Sequence, residues 1–132
     1  MGEINGNFEA KVHGPDDLLI GDNEFKSEVI SLAAGEKAAD GYVLTRNETS
    51  GKLELASDVE GQCFVLVNRD ILDNTNGSAA KDFYARVCIS GRVKKSAVTL
   101  KGNPLSDAQA DALRSSSILA LDVTNVGKTD NL

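Results

Sequence analysis

The sequence predicts a mainly β protein with one short α-helix, a small β-barrel or β-tulip-like domain behind an irregular N-terminal arm. Three observations lead there. Short apolar runs recur, some alternating as in Lys52-Leu53-Glu54-Leu55 and some continuous as in Cys63-Phe64-Val65-Leu66-Val67. Those are the patterns of half-buried strands and of strands covered on both faces. Turn-forming clusters separate the runs, among them Asp40-Gly41, Asn47-Glu48-Thr49-Ser50-Gly51 and Asn74-Thr75-Asn76-Gly77-Ser78. A single segment, opening at Ser106, carries helix signals.

Along the chain, residues 1–24 read as a flexible arm because Gly2, Gly6, Gly14, Pro15, Asp16, Asp17, Gly21 and Asp22 punctuate them. Inside that arm Phe8, Glu9, Ala10, Lys11, Val12 and His13 alternate apolar and polar residues, the pattern of a strand that adds to a partner's sheet edge. The body is expected over residues 25–123. Lys26 to Leu32 is strand-like, Ala33 to Lys37 a turn, and Tyr42 to Arg46 a second strand rich in β-formers. The apolar run at 62–67 follows. Phe83 to Ser90 places Phe83, Ala85, Val87 and Ile89 on one face and Tyr84, Arg86, Cys88 and Ser90 on the other. Gly91 reads as a bulge or bend, and Val93 to Leu100 continues in β style. Ser106 is a good N-cap with Gln109 at N3, the two halves of a capping box, and Ala108, Ala110, Ala112 and Leu113 favour helix. Ser115-Ser116-Ser117 ends that helix, Ile118 to Val123 forms a last strand, and residues 124–132 read as a frayed tail.

Composition narrows function. The chain of 132 residues fits one domain, and its 41% hydrophobic and 26% charged content is that of an ordinary globular protein. The net charge of −6 argues against nucleic acid as a partner. The local run Arg92-Val93-Lys94-Lys95 reads as a solvated strand edge. Neither a secretion signal nor an apolar span of membrane length is present, so cytoplasmic synthesis without a membrane partner is expected. Cys63 and Cys88 sit in apolar strand-like runs and read as reduced core thiols. Their pairing would need neighbouring strands.

Chemistry finds little support. The one histidine, His13, lies in the arm rather than in a site that would poise a base. No nucleophile elbow, Walker loop or dinucleotide fingerprint occurs. An EF-hand reading of the loop at Asp73 fails because Leu72 and Phe83 fall where oxygen ligands are required. No catalytic residue, metal or cofactor is expected. The turn-rich Ile30 to Leu44 stretch is similar to biotinyl and lipoyl carrier domains, but the Met-Lys-Met and Asp-Lys-Ala contexts of their modified lysine are missing.

Taken in order, Val29-Ile30-Ser31-Leu32 with Ala34-Gly35, Asp40-Gly41-Tyr42-Val43-Leu44-Thr45, Gly51-Lys52-Leu53, Cys63 to Val67, Ala85-Arg86-Val87, Gly91-Arg92-Val93, Ala112-Leu113-Arg114 and Ile118 to Leu121 resemble the lambda-type head decoration proteins of bacteriophages. The resemblance covers roughly residues 25–123. It implies a non-enzymatic homotrimer that binds the major capsid protein on the outer surface of an expanded head and stabilises the shell against genome pressure. It also implies that the arm, Phe8 to His13, joins a capsid sheet. A tail or baseplate adaptor of β-barrel type is the alternative virion reading. Phe25, Tyr84 and Leu119 are expected to be either core or interface.

Overall fold

A computed structural model of the protein describes residues 18–122. Its frame is a long antiparallel ribbon. β1 (Leu19–Leu32) and β7 (Lys81–Lys94) each run fourteen residues and pair from Leu19↔Val93 to Leu32↔Lys81. Between them lie β2 (Lys37–Ala38), β3 (Val43–Arg46), β4 (Leu53–Leu55), β5 (Cys63–Leu66) and β6 (Leu72–Asp73). After β7 come a 3₁₀ turn at Lys95–Ala97, the short hairpin β8 (Thr99–Leu100) and β9 (Asn103–Pro104), α1 (Asp107–Ala112), a 3₁₀ turn at Leu113–Ser116, and β10 (Ile118–Leu121).

The main sheet runs β10-β7-β1-β4-β3-β5, and β5 pairs again with β7 through Val65↔Cys88 and Leu66↔Val87. Five strands therefore close on themselves, which removes most open sheet edge. β1 and β4 meet parallel at the single pair Ile30↔Leu53. β10 lies parallel to the end of β7, with Leu119 beside Arg92 and Leu121 beside Lys94. The domain is mainly β with one short helix, as the apolar runs predict.

Closure explains why two apolar cores form. Ile30, Leu32, Leu44, Leu53, Phe64, Leu66, Ala85 and Val87 make one buried cluster, drawn from all five closing strands. Residues of opposite parity on the same strands, Val43, Cys63, Val65 and Cys88, belong to a second cluster with Val98, Leu100, Leu105, Ala110, Leu113 and Ile118. The C-terminal segment thus covers one outer flank of the barrel. All four residues of β5 are buried for that reason, as its continuous apolar run predicts. Full burial of each Leu or Val is worth about 1.5–3 kcal/mol.

The helix forms as its caps dictate. Ser106 Oγ accepts from the Gln109 amide at 3.1 Å and Gln109 Oε1 accepts from the Ser106 amide at 2.9 Å. Asp107 in the first turn complements the helix dipole. The segment ends where Ser117 turns left-handed, at φ 66°.

Three expectations change. Residues 19–24 belong to β1 rather than to the arm: Leu19 and Ile20 pair with Val93 and Arg92, and the register shifts between Ile20, Glu24 and Phe25 make the Gly21-Asp22 signal a β-bulge inside a strand. The stretch from Val93 to Leu100 is broken by the 3₁₀ turn at Lys95–Ala97. The last strand ends at Leu121. The arm residues Phe8 to His13 and the tail at 124–132 lie outside the described residues.

Candidate functional site

The outward face of the β1–β7 ribbon presents the best-defined surface feature. Pairing places Phe25 beside Cys88, Ser27 beside Arg86, Val29 beside Tyr84 and Ser31 beside Asp82. Side chains paired across a sheet share a face, so these eight lie on one face of the ribbon, with Cys88 buried in the second core at one end. Its two ends differ. Phe25 packs against the second core, and the Arg86 guanidinium lies over its ring at 4.4 Å from the centroid, a cation–π contact that covers the ring's outer side. Tyr84 is 77% exposed, with half-buried Val29 across from it.

Charged contacts brace both faces of the ribbon: Glu28, paired with Ala85, lies on the face opposite Tyr84, and Asp82, paired with Ser31, lies on the Tyr84 face. Arg46 donates to both Glu28 carboxylate oxygens, at 3.2 and 2.9 Å, and to the Gly51 carbonyl at 2.8 Å. Those hydrogen bonds hold the Glu28 carboxyl below its ordinary value, with the Arg46 charge adding to them. The same guanidinium sits 5.2 Å from the Phe64 ring centroid. Lys52 Nζ meets Asp82 Oδ2 at 2.6 Å. Tyr84 therefore stands on a fixed strand pair rather than on a loop, the placement that makes an exposed aromatic an effective anchor for another surface.

The remaining candidates resolve into structural roles. Asp73 Oδ1 accepts from the Thr75 amide at 2.9 Å and from its hydroxyl at 2.6 Å, an Asx turn that lowers the Asp73 carboxyl, chiefly through the hydroxyl bond. The neighbouring Asn74 is buried, and its Nδ2 reaches the carbonyls of Leu32, Ala33 and Ala79, each at 3.0 Å. The loop thus acts as a plug tied to the end of β1, a role that turn composition alone does not announce. Among the described residues no three His, Cys, Asp or Glu side chains gather as a metal site.

Cys63 and Cys88 are both free and buried in the same core. Burial pushes the Cys63 thiol up from its ordinary value, which disfavours the reactive thiolate. A shallow groove of about 280 Å³ lies beside the β8–β9 hairpin, lined by Ala56, Ser57, Leu100, Lys101, Asn103, Pro104 and Gln109. Lys101 stands at that hairpin's tip in the context Leu100-Lys101-Gly102, which differs from both carrier contexts.

Of the three aromatic or aliphatic residues left open by sequence, Phe25 is half-buried against the second core, Tyr84 is surface, and Leu119 is half-buried on the edge strand. No described helix is long and apolar enough to cross a membrane. No family model, curated protein or solved structure matches the chain.

Proposed function

We propose that this chain is a non-enzymatic structural protein that works by binding another protein's surface, and that the surface is the outside of an expanded phage capsid. The observation that carries the first half is Tyr84, 77% exposed on the outward face of the β1–β7 ribbon and more exposed than Ile71, at 55% the other exposed large hydrophobic among the described residues. An aromatic held on a strand contributes large contact area with little ordering cost, which is what hot spots at protein interfaces require. The second half rests on the ordered resemblance of residues 25–123 to lambda-type decoration proteins. On that reading three copies assemble, and three weak contacts become strong through avidity.

The test is co-sedimentation with expanded and unexpanded heads of the phage whose genome carries the chain, together with the solution mass of the free protein. A trimer that sediments with expanded heads and not with unexpanded ones supports the reading. A stable monomer that sediments with neither contradicts the decoration role and leaves the tail or baseplate alternative to be tested on those structures.

A further inference from the structure

The loop that holds the Asn74 plug also carries covalent chemistry of its own. Among the described residues Asn76 alone of the asparagines precedes a glycine. Asn23, Asn47, Asn68 and Asn74 precede Glu24, Glu48, Arg69 and Thr75, and Asn103 precedes Pro104, which has no N–H. An asparagine carboxamide is open to attack by the main-chain nitrogen of the next residue. Glycine hinders that attack least, because it has no Cβ and the widest backbone freedom. Asn76 and Gly77 are both exposed, so water and hydroxide reach them.

The plug decides that a glycine stands here. Asn74 Nδ2 is fixed on the carbonyls of Leu32, Ala33 and Ala79, which leaves Oδ1 against Gly77. A Cβ at 77 would lie 2.0 Å from that oxygen and 2.8 Å from Asn74 Cγ, so no side chain fits. The same packing restrains the reaction. The Gly77 amide donates to the Asn74 carbonyl at 3.1 Å, and the Gly35 amide donates to the same oxygen at 2.9 Å. Asn76 thus occupies the third position of a β-turn whose closing hydrogen bond holds the attacking nitrogen. That nitrogen must lose its proton to attack, so the reaction runs from the opened loop and its rate follows the opening equilibrium. Asp40-Gly41 is a natural contrast. Gly41 is buried, its amide donates to the Leu66 carbonyl at 2.8 Å, and a Cβ there would lie 2.0 Å from the Ala97 carbonyl oxygen.

We propose that Asn76 is a site of slow self-modification that loosens the plug. The Gly77 nitrogen, its proton taken by hydroxide, bonds to Asn76 Cγ, and the bond from Cγ to the carboxamide nitrogen breaks to release ammonia. The product is a five-membered succinimide. Water opens it at either carbonyl. Opening at Cγ leaves aspartate, and opening at the main-chain carbon leaves isoaspartate, with the chain running through Cγ. The net change is one water taken up and one ammonia lost, with no oxidation or reduction. Both products add a negative charge, but isoaspartate also lengthens the main chain by one methylene. That moves Gly77 off a contact with no slack and breaks its bond to the Asn74 carbonyl. The inference concerns this loop and is independent of the capsid reading, so either can fail without the other.

The test incubates the folded full chain in mildly alkaline buffer and follows ammonia release, with peptide mapping and enzymatic methylation of isoaspartate to locate the product. Mapping separates Asn76 from Asn5-Gly6. Conversion is expected at Asn76 and not at Asp40, and Asn74→Ala should convert at least about fivefold faster, the scale of one lost hydrogen bond. Should Asn74→Ala fail to fold, the parent in a series of urea concentrations below its unfolding transition makes the same comparison: conversion must rise in step with hydrogen exchange of the Gly77 amide. The purified isoaspartyl form should show an unfolding equilibrium constant at least about fivefold above the parent's, whereas Asn76→Asp stays within about twofold. No conversion at Asn76 in the folded chain while urea-unfolded chain converts overturns the proposal. So do equal rates in the parent and a folded Asn74→Ala, a rate indifferent to loop opening, or an isoaspartyl form as stable as Asn76→Asp.

Discussion

Asn23 and Gly91 touch where the ribbon changes face. A Cβ built on Gly91 would lie 2.3 Å from Asn23 Nδ2 and 2.9 Å from Asn23 Cα, and the same Nδ2 donates to the Arg92 carbonyl at 2.9 Å. Gly91 adopts φ 134°, a conformation closed to residues with a side chain. Ile89 and Val93 have the same parity on β7, yet Ile89 packs against the first core and Val93 lies in the second. The flip between them happens at this glycine, opposite the bulge in β1. Without it the end of β7 would turn Val93 toward solvent.

Gly91→Ala is accordingly expected to destabilise the fold by about 2–3 kcal/mol, from backbone strain and the clash with Asn23. Urea unfolding measures it. Adding Asn23→Ala should recover part of the loss, since it removes the nearest atoms but leaves the strained φ.

Asn74→Ala is expected to cost about 1–3 kcal/mol, because three carbonyls at the barrel's end lose the donor that reaches them. Asn76→Ala, at an exposed position in the same loop, should stay within about 0.5 kcal/mol of the parent. Equal effects in thermal or urea unfolding would remove Asn74 from its role as a plug.

Glu28 gives the fold an acid-sensitive contact. Its carboxyl is held below the ordinary 4.5 by the Arg46 hydrogen bonds. A depressed folded-state value contributes stability that is present above the unfolded value and lost as pH falls through the folded one. The urea midpoint should therefore drop below about pH 4.5, and Glu28→Gln should lower the midpoint at neutral pH while flattening that drop. A variant with an unaltered acid limb would assign the acid sensitivity elsewhere.

The parts of the fold that were legible in sequence are those set locally. The capping box needs only Ser106 and Gln109, three residues apart. The double coverage of β5 is written in four consecutive apolar residues. The faces of Phe83 to Ile89 follow from strand alternation, and both cores respect it. What sequence missed depends on distant partners. Gly21-Asp22 signals a turn, but pairing of Leu19 and Ile20 with β7 holds the chain in a bulged strand. Asn74 resembles its turn-forming neighbours until the ends of β1 arrive to accept its amide. Phe25 and Tyr84 occupy equivalent outward positions, and only Arg86 and the second core decide that one is covered and the other bare. The surface that carries the proposed function is therefore a product of packing.

Tyr84 is the residue on which the account turns. Tyr84→Ala removes an exposed ring and should leave the unfolding midpoint within about 0.5 kcal/mol of the parent. The most direct measurement is quantitative co-sedimentation of the parent and of Tyr84→Ala with expanded heads. The parent is expected to bind and the variant to bind at least about tenfold more weakly, as loss of an interface hot spot requires. Equal binding by a folded Tyr84→Ala, or no binding by the parent, would contradict it.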